Sequence, residues 1–317
     1  MNHSFHRTES EVIMTLKQRI TLCTTIILCM SSLTGCSQDK PVKLTNELRF
    51  SLEKISDLKI SYDDEEVIFF PSDENTLVIK EYMTTPKDNY YAKVKQNHSS
   101  IHISEGAKPI FKDNFYRYIE IYLPASYQHA LTVTTSDGDI DMSGIDLHVS
   151  VLRIDSTSGT MQIDSAKAEK IYLSSTSGTL KLGIVNGDTI RVETTSGEVI
   201  CEEVNGYVTY ATTSGNAQFS SAIGSGSYKV NNSGTLSAAY TQVQGNLTLF
   251  NKNGDIKLTL PKKLEFGFEA AAKNGTILTS FQDQLRTEGD TVRGTVGNSP
   301  DVTVRAETKN GNIEVTQ

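Results

Sequence analysis

The sequence predicts an all-β fold, a single-stranded parallel β-helix with coils of 19–20 residues and an irregular β cap at its N-terminal side. Three observations carry the prediction. One phrase recurs along the chain, as "STSGTMQI" from 156, "STSGTLKL" from 175, "TTSGEVIC" from 194 and "TTSGNAQF" from 212. Aligned on its glycine it gives Gly138, Gly159, Gly178, Gly197, Gly215, Gly234, Gly254, Gly275 and Gly311, spaced by 21, 19, 19, 18, 19, 20, 21 and then 36 residues. Apolar residues also alternate on both sides of the glycine, the period of a strand with one buried face.

The chain opens with a leader, residues 1–35. Lys17 and Arg19 precede an uncharged run from Ile20 to Met30, and Leu33, Thr34, Gly35 and Cys36 follow. A basic start, a short apolar stretch and small residues at the cut make a secretory signal, too short for a mature membrane span, which needs about 20 residues. The order Leu33-Thr34-Gly35-Cys36 resembles the lipobox of bacterial lipoproteins, which implies lipid on Cys36 and cleavage before it. Two starts are open, Met1 and Met14; Glu9 and Glu11 are out of keeping with a signal and favour Met14. Residues 36–45 then read as the lipidated cysteine and a polar tether.

Residues 46–130 lack the phrase but keep strand-like runs, "VIFF", "NTLVIKEYM", "NYYAKVK", "SSIHIS" and "RYIEIYLP", between turn signals. They are expected to start and cap the solenoid, because uncovered coil edges invite strand addition. From residue 131 to 317 the repeats take over. Two residues after the glycines stand Ile140, Met161, Leu180, Val199, Ala217, Leu236, Ile256, Ile277 and Ile313. Seven and five before them stand pairs such as Leu152/Ile154 and Ile171/Leu173, shifted by one to Tyr228/Val230 in the Gly234 copy, as a one-residue deletion would do. Each unit reads as strand, polar corner, strand and about six linking residues, too little to bury a face alone. The residue before each glycine is Ser, Asn or Asp, which bonds nearby backbone in turns, while glycine tolerates positive φ. Residues 281–301 read as an inserted hairpin within the 36-residue gap.

The leader, the preamble "IEIYLPASYQHALTVTTSDGDI" and the repeated "TSGxhxh" and "NGxIxh" phrases (h, hydrophobic) together resemble the DUF4097 group of bacterial envelope proteins, labelled candidate adhesins. The likeness covers about residues 50–317. It implies a β-helix and surface display and supplies no catalytic residue to carry over. Members encoded beside envelope-stress signalling systems imply an accessory role acting through a protein partner.

Composition narrows the chemistry. Without the leader the chain has 27 basic and 36 acidic residues, a net of −9, which argues against nucleic acid. Cys23 and Cys29 leave with the leader and Cys36 is acylated, so Cys201 stands without a disulfide partner, at an inward repeat position. The aspartates of "DGDID", Asp137, Asp139 and Asp141, share a solvent face, but Met142 and His148 stand where a calcium loop needs glycine and glutamate. His98, His102, His129 and His148 lack metal spacing. A sugar-cleaving pair of carboxylates could come from Asp155, Asp164, Glu193 or Glu202 on neighbouring coils, yet the outward positions are mainly Ser, Thr and Lys. No catalytic residue, metal or cofactor is expected. The expected function is a non-enzymatic, membrane-anchored surface lipoprotein on the extracytoplasmic face, binding an envelope polymer, glycan or protein, with a stress-response accessory and a polysaccharide-active enzyme as alternatives.

Overall fold

The computed structural model describes residues 41–110, 115–281 and 284–317. Leu33, Thr34, Gly35 and Cys36 lie outside the described residues. The chain enters with β1 (Lys43–Ser51), so the last residues assigned to the tether are already strand. There follow β2 (Asp57–Ser61), β3 (Glu66–Ser72), β4 (Thr76–Met83), a 3-10 turn at Asp88–Tyr90, β5 (Lys93–Gln96), β6 (Ser100–Ser104) and β7 (Arg117–Pro124). The strand expected over "NYYAKVK" begins only at Lys93. Before it, Tyr90 donates its N–H to the Lys87 carbonyl at 2.8 Å and closes the turn, with the Tyr90 side chain buried.

The repeats are β8 (Ala130–Thr134), β9 (Ile140–His148), β10 (Val151–Ser156), β11 (Thr160–Ser175), β12 (Thr179–Thr194), β13 (Glu198–Ser214), β14 (Ala217–Ser233), β15 (Leu236–Asn253), β16 (Ile256–Thr259), β17 (Phe266–Asn274) and β18 (Ile277–Thr279). After them β19 (Leu285–Glu288) and β20 (Thr291–Val296) form an antiparallel hairpin, and β21 (Val302–Asn310) and β22 (Ile313–Thr316) close the chain.

Successive coils pair in parallel, so equivalent side chains form columns. Ile140, Met161, Leu180, Val199, Ala217 and Leu236 align in one buried column. Leu131, Leu152, Ile171, Ile190 and Val208 align in another. The linking residues are not loops: Leu147, Ala166, Val185, Val204, Ala222 and Tyr240 make a third buried column inside the long strands. One inward residue per linker, with a second apolar residue turned outward beside it in some copies, as Ile184 is beside Val185, leaves too faint a period to read from sequence.

The Gly234 copy differs from the expected deletion. Tyr228 pairs with Tyr210 and Leu249, and Gly226 takes the place held by Val208 below and Leu247 above. The register then slips between Val230 and Ser233, so one extra residue precedes the corner. Gly226 leaves room for a buried hydrogen bond of 2.7 Å between the Tyr228 and Tyr240 hydroxyls.

The reason for glycine at the corner also needs correction. Only Gly159, Gly234, Gly254 and Gly311 of the nine have positive φ. What they share is the approach of the next coil: a Cβ on Gly178 would meet the Gly159 carbonyl oxygen at 2.3 Å, one on Gly197 the Gly178 oxygen at 2.5 Å, and one on Gly215 the Gly197 oxygen at 2.3 Å. Gly197 has no positive φ, so Gly197→Ala isolates the steric cost. It is expected to destabilise by about 2 kcal/mol through overpacking; a denaturant midpoint equal to that of the parent protein would show that the corner has slack.

The stacking order at both ends departs from chain order. At the N-terminal side the coil of β2 and β3 sits between β6 and β7 on one flank and β8 and β9 on the other. At the C-terminal side β21 lies between β15 and β17, and β22 between β16 and β18. The glycine column therefore runs Gly234, Gly254, Gly311, Gly275, with the last-made coil inserted before the one preceding it in sequence. The hairpin then pairs antiparallel with β17 and extends that end.

Candidate functional site

The corner residues that recur most often spend their polar groups on neighbouring coils. Asn274 donates to Asn310, Asn310 to Asn253, Asn253 to Asn232 and Asn232 to the Ser214 hydroxyl, at 2.6–3.4 Å, all in one direction along the stack. Three residues before several of the glycines a second, buried polar set was missed in sequence. Thr194 donates to the Thr212 hydroxyl at 2.8 Å, Asn251 to the Gly234 carbonyl at 2.9 Å and Thr308 to the Gly254 carbonyl at 3.2 Å. The last two give buried corner carbonyls a donor, and the first pairs two buried hydroxyls with each other.

The aspartates of "DGDID" go to separate structural partners. Asp137 accepts from Ser158, Asp139 from the Thr160 N–H, each at 2.6 Å, and Asp141 from the Ser143 N–H at 2.8 Å. Of the four carboxylates weighed for sugar cleavage, Asp155 accepts from Arg153 and Ser174, and Glu193 pairs with Arg191. Asp164 and Glu202 do share one shallow depression of about 420 Å³ with Lys181, but both are exposed and its lining carries no aromatic ring. Cys201 is buried at 1% exposure, and burial pushes its thiol up to about 12, away from a reactive thiolate.

A larger groove of about 1030 Å³ runs across several coils. Gly187, Gly206 and Gly224 lie in it because stacked carbonyls again leave no space for a Cβ; the Gly206 position would bring one within 1.7 Å of the Gly187 oxygen. Lys167, Asn186, Asn205 and the exposed Tyr207 border it. It is an open, polar trough suited to contact with an extended ligand rather than to enclosing a reacting group.

The strongest electrostatic feature lies in the cap, where sequence gave no signal. Arg117, with a fully buried side chain, donates to Glu65 Oε1 through Nη2 at 2.6 Å and Nε at 3.0 Å, and to the Tyr90 carbonyl at 2.7 Å. Glu105 stands 3.3 Å from the same Nη2, and Lys108 contacts Asp63, Asp64, Glu65 and Glu105. Asp64, Glu65 and Glu105 are close enough to share a cation, and the Lys108 ammonium already bridges them. Burial opposes charge on Glu65, but bonding to Glu105 and the Arg117 guanidinium outweigh it and hold the carboxyl low. Burial, followed by the Glu65 carboxylate, raises Glu105 from 4.5 to about 7.

Glu105 thus binds its proton more tightly folded than unfolded. Its contribution to stability is complete below about pH 4.5 and is lost as pH rises towards about 7, whereas that of Glu65 is lost in acid as pH falls through its lowered pKa. Glu105→Gln is expected to remove the decline in melting temperature over that upper window; an unchanged slope would place the titration elsewhere.

The Toastrack DUF4097 family model matches residues 55–316. The chain belongs to the Toastrack DUF4097 family. The match takes in the cap from Ile55 onward, so the intercalated coils of both ends fall within the Toastrack region. Among solved structures, a candidate adhesin of Bacteroides fragilis is similar at 14% identity, covering 87% of this chain and 98% of that one, with a TM-score of 0.45. A candidate adhesin of Parabacteroides merdae is similar at 14% identity, over 86% and 96% of the two chains, with a TM-score of 0.38. A candidate cell adhesion protein of Clostridium sporogenes is similar at 11% identity, over 87% and 100%, with a TM-score of 0.28. Comparison with curated proteins gives no match. Among the described residues of this Toastrack chain no helix is long and apolar enough to cross a membrane.

Proposed function

We propose that this Toastrack protein is a non-enzymatic, adhesin-like lipoprotein, held by lipid on Cys36 at the extracytoplasmic face of a bacterial cell membrane, where its stack of coils presents a rigid polar flank to an envelope polymer, glycan or protein. The observation that carries the reading is the use of the repeated hydroxyls and amides in coil-to-coil bonds. Groups that recur through the repeats of residues 131–317 serve the stiffness of the scaffold, and the open trough beside Asn186, Asn205 and Tyr207 is left for contact. Leu33-Thr34-Gly35-Cys36 supports the anchor. Two or three acyl chains on one cysteine hold stably, whereas a single chain binds only marginally.

Cys36→Ala is expected to leave an uncleaved precursor or to release the protein from the membrane fraction, followed by metabolic labelling with a fatty acid. An acylated, membrane-bound variant would refute the anchor. A pull-down from intact envelopes with the acylated protein tests the binding half: recovery of wall polymer or glycan supports display. Capture of one signalling protein, gained or lost under wall stress, would favour the accessory role instead.

A further inference from the structure

Outward positions along most of the stack carry Ser, Thr, Asn and charged residues, but three cap strands depart from that pattern. On β3, β4 and β7 the inward side chains Val67, Phe69, Ile79, Met83, Ile119 and Ile121 are buried, so the alternation turns Phe70, Tyr82, Tyr118 and Tyr122 to the other face. The strands lie side by side, with Tyr82 opposite Tyr118 and Phe70 opposite Tyr122. The first pair stacks at 4.5 Å and 5°, the second at 5.2 Å and 25°. Glu120, between them on β7, accepts from the Tyr82 and Tyr122 hydroxyls at 2.9 Å each, and Lys80 sits 4.3 Å from the Tyr122 ring centre. Tyr116, 49% exposed, adjoins the cluster, and Leu44 of β1, opposite Tyr82, is 47% exposed. The rings are thus locked in place on an outward sheet face, where a contiguous apolar patch marks an interaction surface.

We infer that this aromatic face of β3, β4 and β7 is the surface by which the anchored protein rests against lipid headgroups. The inference rests on the lipid anchor proposed above. Six residues separate Cys36 from Lys43, the start of β1, and the seven residue steps between the two reach at most about 25 Å. β1 pairs with β4, so the tether holds this face, and not the far end, near the bilayer. From β7 to β18 the stack spans ten strand spacings of ~4.8 Å, about 48 Å, which keeps Leu278 beyond the tether's reach. Tyrosine, with an apolar ring and a polar tip, is enriched at the membrane–water interface, and Lys80 can extend its ammonium to the headgroups while its stem stays on the ring.

The chain has no tryptophan, so an introduced one is the sole indole reporter. Full-length acylated Tyr118→Trp and Leu278→Trp are purified from membranes and reconstituted into phosphatidylcholine vesicles with plain or brominated acyl chains. Emission of the position 118 reporter is expected to fall roughly twofold on bromination, while that of the position 278 reporter stays constant. Tyr116→Trp, at a more exposed site, supplies the same readout if position 118 packs poorly. Protein that co-floats with vesicles yet shows equal emission in both lipids at positions 116 and 118 overturns the inference while sparing the anchor. Failure of all variants to co-float refutes the anchor and the inference with it. An emission shift at position 118 on adding wall glycan or a soluble protein fraction, with none from vesicles, assigns the face to that occupant and overturns the inference.

Discussion

Removing residues 302–317 is expected to unfold everything beyond β15 and β16, although the deletion takes only the last sixteen residues. In a solenoid stacked in chain order such a loss would trim one end and leave the rest intact, since each repeat leans only on its neighbours. Here β21 and β22 are bonded on both sides, so the deletion opens a gap one coil wide inside the stack. Val304, Ala306, Ile313 and Val315 are at most 1% exposed, and their loss alone costs on the order of 5 kcal/mol of apolar burial. β17, β18 and the hairpin lose their parallel partners at the same time. Limited proteolysis should then cut rapidly between residues 262 and 301, and the thermal transition should broaden or split. A truncated protein that resists protease and melts as one unit near the full-length temperature would mean that β17 and β18 restack directly on β15 and β16.

That alternative explains why the order was hidden in the sequence. The corners at Gly254, Gly275 and Gly311 are written "KNGDI", "KNGTI" and "KNGNI". A phrase of this kind shows which residues turn the corner and which point inward, because those depend on local chemistry. It does not show which corner lies on which, because the Asn and Gly groups that meet between coils are the same in each. The 36-residue gap marked an interruption of the repeat but not the return of the chain into the stack. The column through Leu147, Val185 and Val204 stayed hidden for a different reason, since a single inward residue in each six-residue linker repeats too seldom to show a period.

The cap was the least legible part. Its coil of β2 and β3 carries no phrase, and Glu65 and Arg117 lie 52 residues apart without a motif to connect them. Within residues 46–130 every strand-like run but "NYYAKVK" is strand, yet the pairing depends on long-range contacts that alternation alone does not specify. The aromatic face could be found in principle: "IFF", "EYM" and "YIEIYLP" place large apolar or aromatic side chains at both alternating positions, an excess over what one buried face requires.

Arg117→Ala is expected to destabilise the protein by about 3–5 kcal/mol, because it leaves the Glu65 carboxylate, 3% exposed, without its buried partner. The Tyr90 carbonyl loses a donor in the same change. Lys108 can compensate only in part: its ammonium is 3.3 Å from Glu65 and already serves Asp63, Asp64 and Glu105. The large single effect does not mean that the ion pair is favourable overall, since removing two charges from water costs nearly what their attraction returns. The double variant Arg117→Met with Glu65→Gln separates these terms, and most of the lost stability should return in it. Urea denaturation of Arg117→Met, of Glu65→Gln and of the double gives the coupling directly. If instead the single losses simply add, Glu65 does not depend on Arg117, and the cap owes its stability to the apolar contacts around Phe69, Ile79 and Ile121.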